Sequence, residues 1–142
     1  MVELRRLEHP DVPEVTAIQQ AIIKKKVSPT WTRMVERNID NEDGVGFVAV
    51  RDGRVAGFVI GEVKREGFGV RQSGWIEVVA VAPQAMGEGV GKAMLDRLLE
   101  HFRKKRIKSV HTAVRWDSGD MLSFFKSVGF GRSDFINLIR ST

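Results

Sequence analysis

Apolar residues recur along this chain in two periods, and the switches between them predict the order of elements. Val2–Leu7 alternates weakly and reads as a first strand. Asp11 with Glu14 forms a capping box, after which Val12, Val15, Ile18 and Ile22 recur at helical spacing. Ser28-Pro29 ends that helix, and Thr30–Ile39 forms a second, with Trp31, Met34 and Val35 on one face. Val45–Arg51 and Arg54–Lys64 are strand-like runs joined by Asp52-Gly53, a strong hairpin signal. Glu66–Gly74 reads as a glycine-containing loop and Trp75–Ala82 as the next strand. Gly89–Lys105 predicts a helix that turns Val90, Met94, Leu95, Leu98 and Phe102 inward. Lys108–Trp116 is strand-like, Ser118–Val128 a short helix capped by Gly129, and Phe130–Arg140 holds the last strand or strands. The order β-α-α-β-β-β-α-β-α-β predicts an α/β fold around one central sheet. No repeat or linker divides residues 1–142, so a single domain is expected.

Composition narrows the function classes. Hydrophobic residues at 42% and charged residues at 29% of 142 exclude a disordered chain. No apolar run is long enough to cross a bilayer and Met-Val-Glu-Leu-Arg is not a signal peptide, so a cytoplasmic location is expected and a membrane is not. The absence of cysteine excludes disulfides, thiolate metal sites and a cysteine nucleophile. His9, His101 and His111 are widely separated and lack metal-ligand spacing, so no metal is expected. The net charge of +5 gathers at Lys24–Lys26 and at Arg103–Arg106 with Lys108. Both clusters end helices, where the dipole favours solvated cations, and neither is interleaved with aromatics. Nucleic acid is therefore not an expected partner.

The densest chemical signal lies between Val79 and Leu99. A buried strand, a turn marked by Pro83, the alternating Gly87, Gly89 and Gly91, and an amphipathic helix follow one another. A glycine-rich turn opening a helix points free N–H groups and the positive dipole end outward, which suits phosphate. The segment fits neither common phosphate motif. Lys92 stands where the dinucleotide fingerprint needs its third glycine, and Met86 and Ala93 break the P-loop pattern. The alternative is a tight turn that serves helix packing alone. Glu77 is the one carboxylate in the otherwise apolar strand Trp75–Val81. Lost solvation would raise its pKa toward the range of a general base, with a solvent-facing glutamate as the plain alternative and Glu62 on the preceding strand in reserve. Trp116–Asp120 reads as a strand-to-helix connection capped by Asp117 or Ser118. His111 reads as a packed histidine, with proton shuttling as the alternative.

Gly-x-Gly-x-Gly after Val-Val-Ala-Val-Ala-Pro resembles the core signature of the GNAT superfamily of acetyl-CoA-dependent N-acetyltransferases, (Arg/Gln)-x-x-Gly-x-(Gly/Ala) after a strand. Leu122–Phe130 resembles that family's fourth helix running into a Gly-Phe turn. The resemblance implies a mixed, mostly antiparallel sheet with helices on both faces. It implies acetyl-CoA as co-substrate and direct acetyl transfer to a primary amine, on a protein lysine, a protein N-terminus or a small molecule. It assigns main-chain N–H groups from Met86 and Gly87 to Lys92 as diphosphate donors, in particular those of Glu88, Val90, Gly91 and Lys92, with Gly89 between them. The Val79 N–H would polarise the thioester carbonyl, and Val79 and Val81 would pair with the pantetheine arm. Ser118 would contact that arm and Phe124 and Phe125 would flank it. Met86 stands where the signature has Arg or Gln, a residue that contributes mainly its backbone. Phe125 stands where many members carry a tyrosine that protonates the leaving thiolate, and this chain has no tyrosine. Ser123, Ser127 or water would substitute, and a thiolate of pKa roughly 8.5 departs without a dedicated acid. An acetyl-CoA-binding sensor without transferase activity is the alternative function. Acceptor choice is implied to lie in Ile22–Asp40 and Glu66–Ser73, neither of which spells a substrate, and a homodimer is left open.

Overall fold

The computed structural model describes residues 1–67 and 69–142, in two compact units, Met1–Thr112 and Ala113–Thr142. The first unit is a five-stranded sheet with three helices. Its strands are β1 (Glu3–Arg6), β2 (Gly44–Arg51), β3 (Arg54–Gly67), β4 (Val70–Val81) and β5 (Val110–Thr112), in the spatial order β1-β2-β3-β4-β5. Neighbours are antiparallel except β4 and β5, which run parallel. Asp52 (φ 53°) and Gly53 (φ 76°) make the tight turn between β2 and β3, matching the hairpin expected there.

Helices α1 (Val12–Ile23), α2 (Pro29–Asp40) and α3 (Val90–Lys104) cover both faces of the sheet. Strand alternation sorts the contacts. Phe58 meets the Trp31 ring of α2 edge-on, with centroids 6.2 Å apart. On the opposite face Phe47 meets His101 of α3 at 6.1 Å. The α3 face is kept bare at Gly57, Gly61 and Gly74 so that the helix can seat closely. A Cβ at Gly57 would come within 2.9 Å of Met94, and one at Gly74 within 2.9 Å of the Phe102 ring. Leu95, Leu98 and Phe102 are fully buried there, each contributing about 1.5–3 kcal/mol by removal from water. No helix among the described residues is long and apolar enough to cross a membrane.

The structure corrects three local expectations in this unit. The capping box belongs to Glu8 and Asp11, not to Asp11 and Glu14. Asp11 accepts the Glu8 N–H at 2.9 Å and two bonds from Arg5 at 2.8 Å, while Glu14 is drawn away to accept the Val55 N–H at 2.9 Å. The expected loop Glu66–Gly74 is mostly strand, because Lys64 and Arg65 pair with Ser73 and Gln72 and extend the hairpin; Phe68, within that loop, lies outside the described residues. The strand expected over Lys108–Trp116 shortens to Val110–Thr112, the length over which β4 offers a partner.

The second unit holds α4 (Gly119–Ser127). The helix ends as expected at Gly129, whose N–H donates to the Lys126 carbonyl at 3.1 Å while the Phe130 N–H donates to Phe125 at 3.0 Å. The strand expected within Phe130–Arg140 does not form. Among the described residues no strand pairs with that segment, and Ser133 bonds locally to Phe135 in a turn instead.

Candidate functional site

The main-chain edge of β4 changes direction in mid-strand. Gly61 of β3 faces Ile76 and Ile60 faces Val78, which leaves Glu77 as an extra residue in a β-bulge. Before the bulge, Gly74 donates to Ser109 at 2.9 Å and the Ile76 carbonyl accepts from Thr112 at 3.1 Å, both toward β5. After it the parity is set from the far end, where the Ala82 N–H donates to Ala56 beside β3 at 2.8 Å. By alternation Ala80 and Val78 also face β3. Val79 and Val81 therefore present N–H and C=O on the side where β5 has already ended, since pairing stops at Ile76–Thr112. Among the described residues no strand covers that edge, so an extended ligand has a ladder of main-chain groups to join.

Beyond β4 a 3-10 turn (Pro83–Ala85) leads into the glycine segment. Gly87 has φ 80° and Gly89 φ 83°, left-handed conformations that other residues enter at a cost, and Gly89 is the N-cap of α3. The first main-chain bond of the helix is Ala93 to Gly89 at 3.0 Å. Among the described residues, the N–H groups from Gly87 to Lys92 consequently have no acceptor. A Cβ at either Gly87 or Gly89 would meet nothing within 4 Å, so the space over these groups is open. A run of unpartnered donors at a helix N-terminus fits a diphosphate. The Glu88 carboxylate, which would repel such a group, is held by Arg51 at 2.8 Å. The Lys92 ammonium is engaged with Asp96 at 2.8 Å, so its side chain faces along the helix. Met86 is 56% exposed and offers no cationic side chain to the turn.

Glu77 lines a cavity of about 280 Å³ with Glu62 of β3 and with Met34, Arg37, Asn38 and Asn41 of the α2 region. Glu77 is exposed on its strand, the solvent-facing placement that was the plain alternative. Partial desolvation against the cavity wall nonetheless raises its carboxyl above the ordinary carboxylate range, with the Glu62 carboxylate adding repulsion and Lys64 opposing both. The two carboxylates considered separately in the sequence thus meet in one cavity. Arg37 and Asn38 were not singled out by sequence reasoning. Their signal was the spacing Met34, Arg37, Asn38, Asn41, which places them along one helix face.

His111 stacks on Trp75 with centroids 4.9 Å apart, a packed histidine on β5. In the second unit Ser118 is the N-cap of α4, with its carbonyl accepting the Leu122 N–H at 3.0 Å and its side chain making no cap bond. Phe125 is buried between Phe124 and Phe130, at 5.3 and 5.2 Å, and Ser127 donates to the Phe124 carbonyl at 2.6 Å. Asp117 pairs with Arg115 at 3.0 Å, which holds its carboxyl below the usual range.

Comparison with known proteins points one way. A family model described as the acetyltransferase (GNAT) family matches residues 7–130. A mycothiol acetyltransferase of Renibacterium salmoninarum is 31% identical over 94 residues, covering 65% of this chain and 28% of its own length. The chain thus spans less than a third of the mycothiol enzyme it matches. The ribosomal protein bS18-alanine N-acetyltransferase of Escherichia coli K12 is 23% identical over 133 residues, covering 94% of this chain and 83% of its own. In fold, AAC(6')-Iy in complex with the bisubstrate analog CoA-S-monomethyl-acetylneamine superposes with a TM-score of 0.85 at 13% identity, over 100% of this chain and 99% of that one.

Proposed function

The chain belongs to the GNAT family of acetyltransferases, and on that premise we propose that it transfers an acetyl group from acetyl-CoA to a primary amine, with one acetyltransferase domain spanning residues 1–142. The observation that carries the reading is the open glycine turn, whose N–H groups from Gly87 to Lys92 lack acceptors among the described residues. When bound, acetyl-CoA supplies an acetyl thioester, whose C–S bond breaks as the acceptor nitrogen takes the acetyl carbon and the electron pair leaves on sulfur.

Each part of the chain then has a stated task. The turn holds the diphosphate. The exposed edge at Val79 and Val81 aligns the arm in the manner of an added strand. The Val79 N–H donates to the carbonyl oxygen as negative charge gathers there. Glu77, its carboxyl raised by partial desolvation and by Glu62, accepts the proton that the acceptor ammonium must lose. A leaving thiolate of pKa roughly 8.5 needs no protonating side chain, which accommodates the absence of tyrosine.

That same absence, together with the exposure of Glu77, favours a second reading, an acetyl-CoA-binding sensor. Release of free thiol from acetyl-CoA, followed across a panel of amines, separates the two. Amine-dependent release supports the transferase. Coenzyme binding without release above hydrolysis for any amine supports the sensor.

A further inference from the structure

The cavity at Glu77 carries charges of both signs, and their arrangement bears on the acceptor. One wall is the face of α2 that presents Met34, Arg37 and Asn38, continued by Asn41; the other is Glu62 and Glu77 on adjacent strands. Gly44 leaves the floor without a side chain, since a Cβ there would run into the Asn38 backbone. Asn38 is fixed in place by donating its amide to the Gly61 carbonyl at 2.7 Å, which holds the helix face against the sheet.

Arg37 shares this cavity with the two glutamates yet pairs with no carboxylate among the described residues; Glu62 instead has Lys64 at 3.8 Å. Arg37 is exposed on its helix and lines the cavity without an ion pair to either carboxylate, so its planar guanidinium fork is available to an anionic group that arrives with the ligand. The glutamates offer the complementary place for an ammonium. One of them, Glu77, sits in the bulge directly before the exposed Val79 edge, so an ammonium there lies next to the proposed reacting position.

We propose that this cavity is the acceptor subsite for a small free α-amino acid, its ammonium toward Glu62 and Glu77 and its carboxylate toward Arg37. The proposal deepens the transferase reading and rests on it. A polyamine would bring a second cation toward Arg37, and a protein lysine or peptide N-terminus would bring no anion beside its amine. A volume of about 280 Å³ matches one small molecule, just under the usual range for ligand pockets.

The test uses matched acceptors: free amino acids, their amides, the corresponding decarboxylated amines, and dipeptides with the same first residue. For the wild-type chain the acids should show kcat/KM at least tenfold above every other form. Arg37→Ala should bring that ratio to about one, mainly through KM, and Arg37→Lys should restore part of it. Arg33→Ala, a change on the same helix outside the cavity, should leave the ratio intact. Calorimetry of the acids and amides against the protein reads the subsite without turnover, and Arg37→Ala should abolish the acid's advantage there too. Amides, amines or dipeptides used as well as the acids, a ratio that survives Arg37→Ala, or acids that do not bind would overturn the proposal. Acid binding that depends on Arg37, with no acetylation of any amine, would instead overturn the transferase reading alone.

Discussion

Replacing Gly89 by Asn and by Asp separates shape from charge at the mouth of the glycine turn. Both residues enter the left-handed conformation that Gly89 holds at φ 83° more readily than other side chains do. Their side chains differ by little except charge, and a Cβ at this position meets nothing within 4 Å. The two variants should therefore fold alike, each less stable than wild type by about 1 kcal/mol through the backbone. Asp at a helix N-terminus gains back about 0.3–1 kcal/mol from the dipole, so Asp should be the more stable of the pair. Binding should go the other way. A unit negative charge about 6 Å from a phosphate charge, at an effective dielectric of about 20, is repelled by about 2.8 kcal/mol. That is roughly a hundredfold in affinity. Calorimetric titration with acetyl-CoA reads the affinity and thermal melting reads the stability. The expected result is Gly89→Asp above Gly89→Asn in stability and about a hundredfold below it in affinity, with the gap narrowing at high salt. Equal affinities would show that no anion sits at the turn, and the argument from unpartnered N–H groups would fail.

Other consequences are simpler. Glu77→Gln should cost about a hundredfold in kcat/KM with coenzyme affinity kept, and should remove the acidic limb that the raised carboxyl gives the wild-type pH profile; an unchanged profile would clear Glu77 of the role. Gly61→Ala would place a Cβ 2.8 Å from the Trp75 carbonyl oxygen, so a loss of about 1–3 kcal/mol is expected by chemical denaturation. The Asp11 carboxyl is held below its usual range by Arg5, by the bond to that side chain first. A depressed carboxyl stabilises the fold above its unfolded-state pKa of about 3.9, and that stability is lost as pH falls through the lower folded value. Asp11→Asn should therefore cost stability at neutral pH and flatten the acid limb of the stability profile; a parallel profile would contradict the pairing.

What could be read from the chain follows the range of the interactions involved. The Asp52-Gly53 hairpin, the Gly129 cap and the inward face of α3 are settled within a few residues, and all stand where the pattern put them. The capping box was misplaced because Glu14 is taken by Val55, a residue far along the chain. The β3–β4 hairpin was cut short because Lys64 and Arg65 look like loop residues until Ser73 and Gln72 pair with them. Phe130–Arg140 has the composition of a strand, and composition does not supply a partner. At the site, the glycine turn announced itself locally. The bulge at Glu77, which decides that Val79 and Val81 face outward, depends on register with β3 and has no signature in β4 alone. Arg37 entered the cavity unremarked for the same reason, since nothing on α2 says what lies across from it.

The most direct measurement is of the main-chain amides themselves, by nuclear magnetic resonance of the labelled protein titrated with CoA. The amide signals of Gly87 to Lys92, with those of Val79 and Val81, should move most and become protected from exchange, while those of the Asp52-Gly53 turn stay in place. Signals that remain fixed at the glycine turn while CoA binds elsewhere would contradict the account.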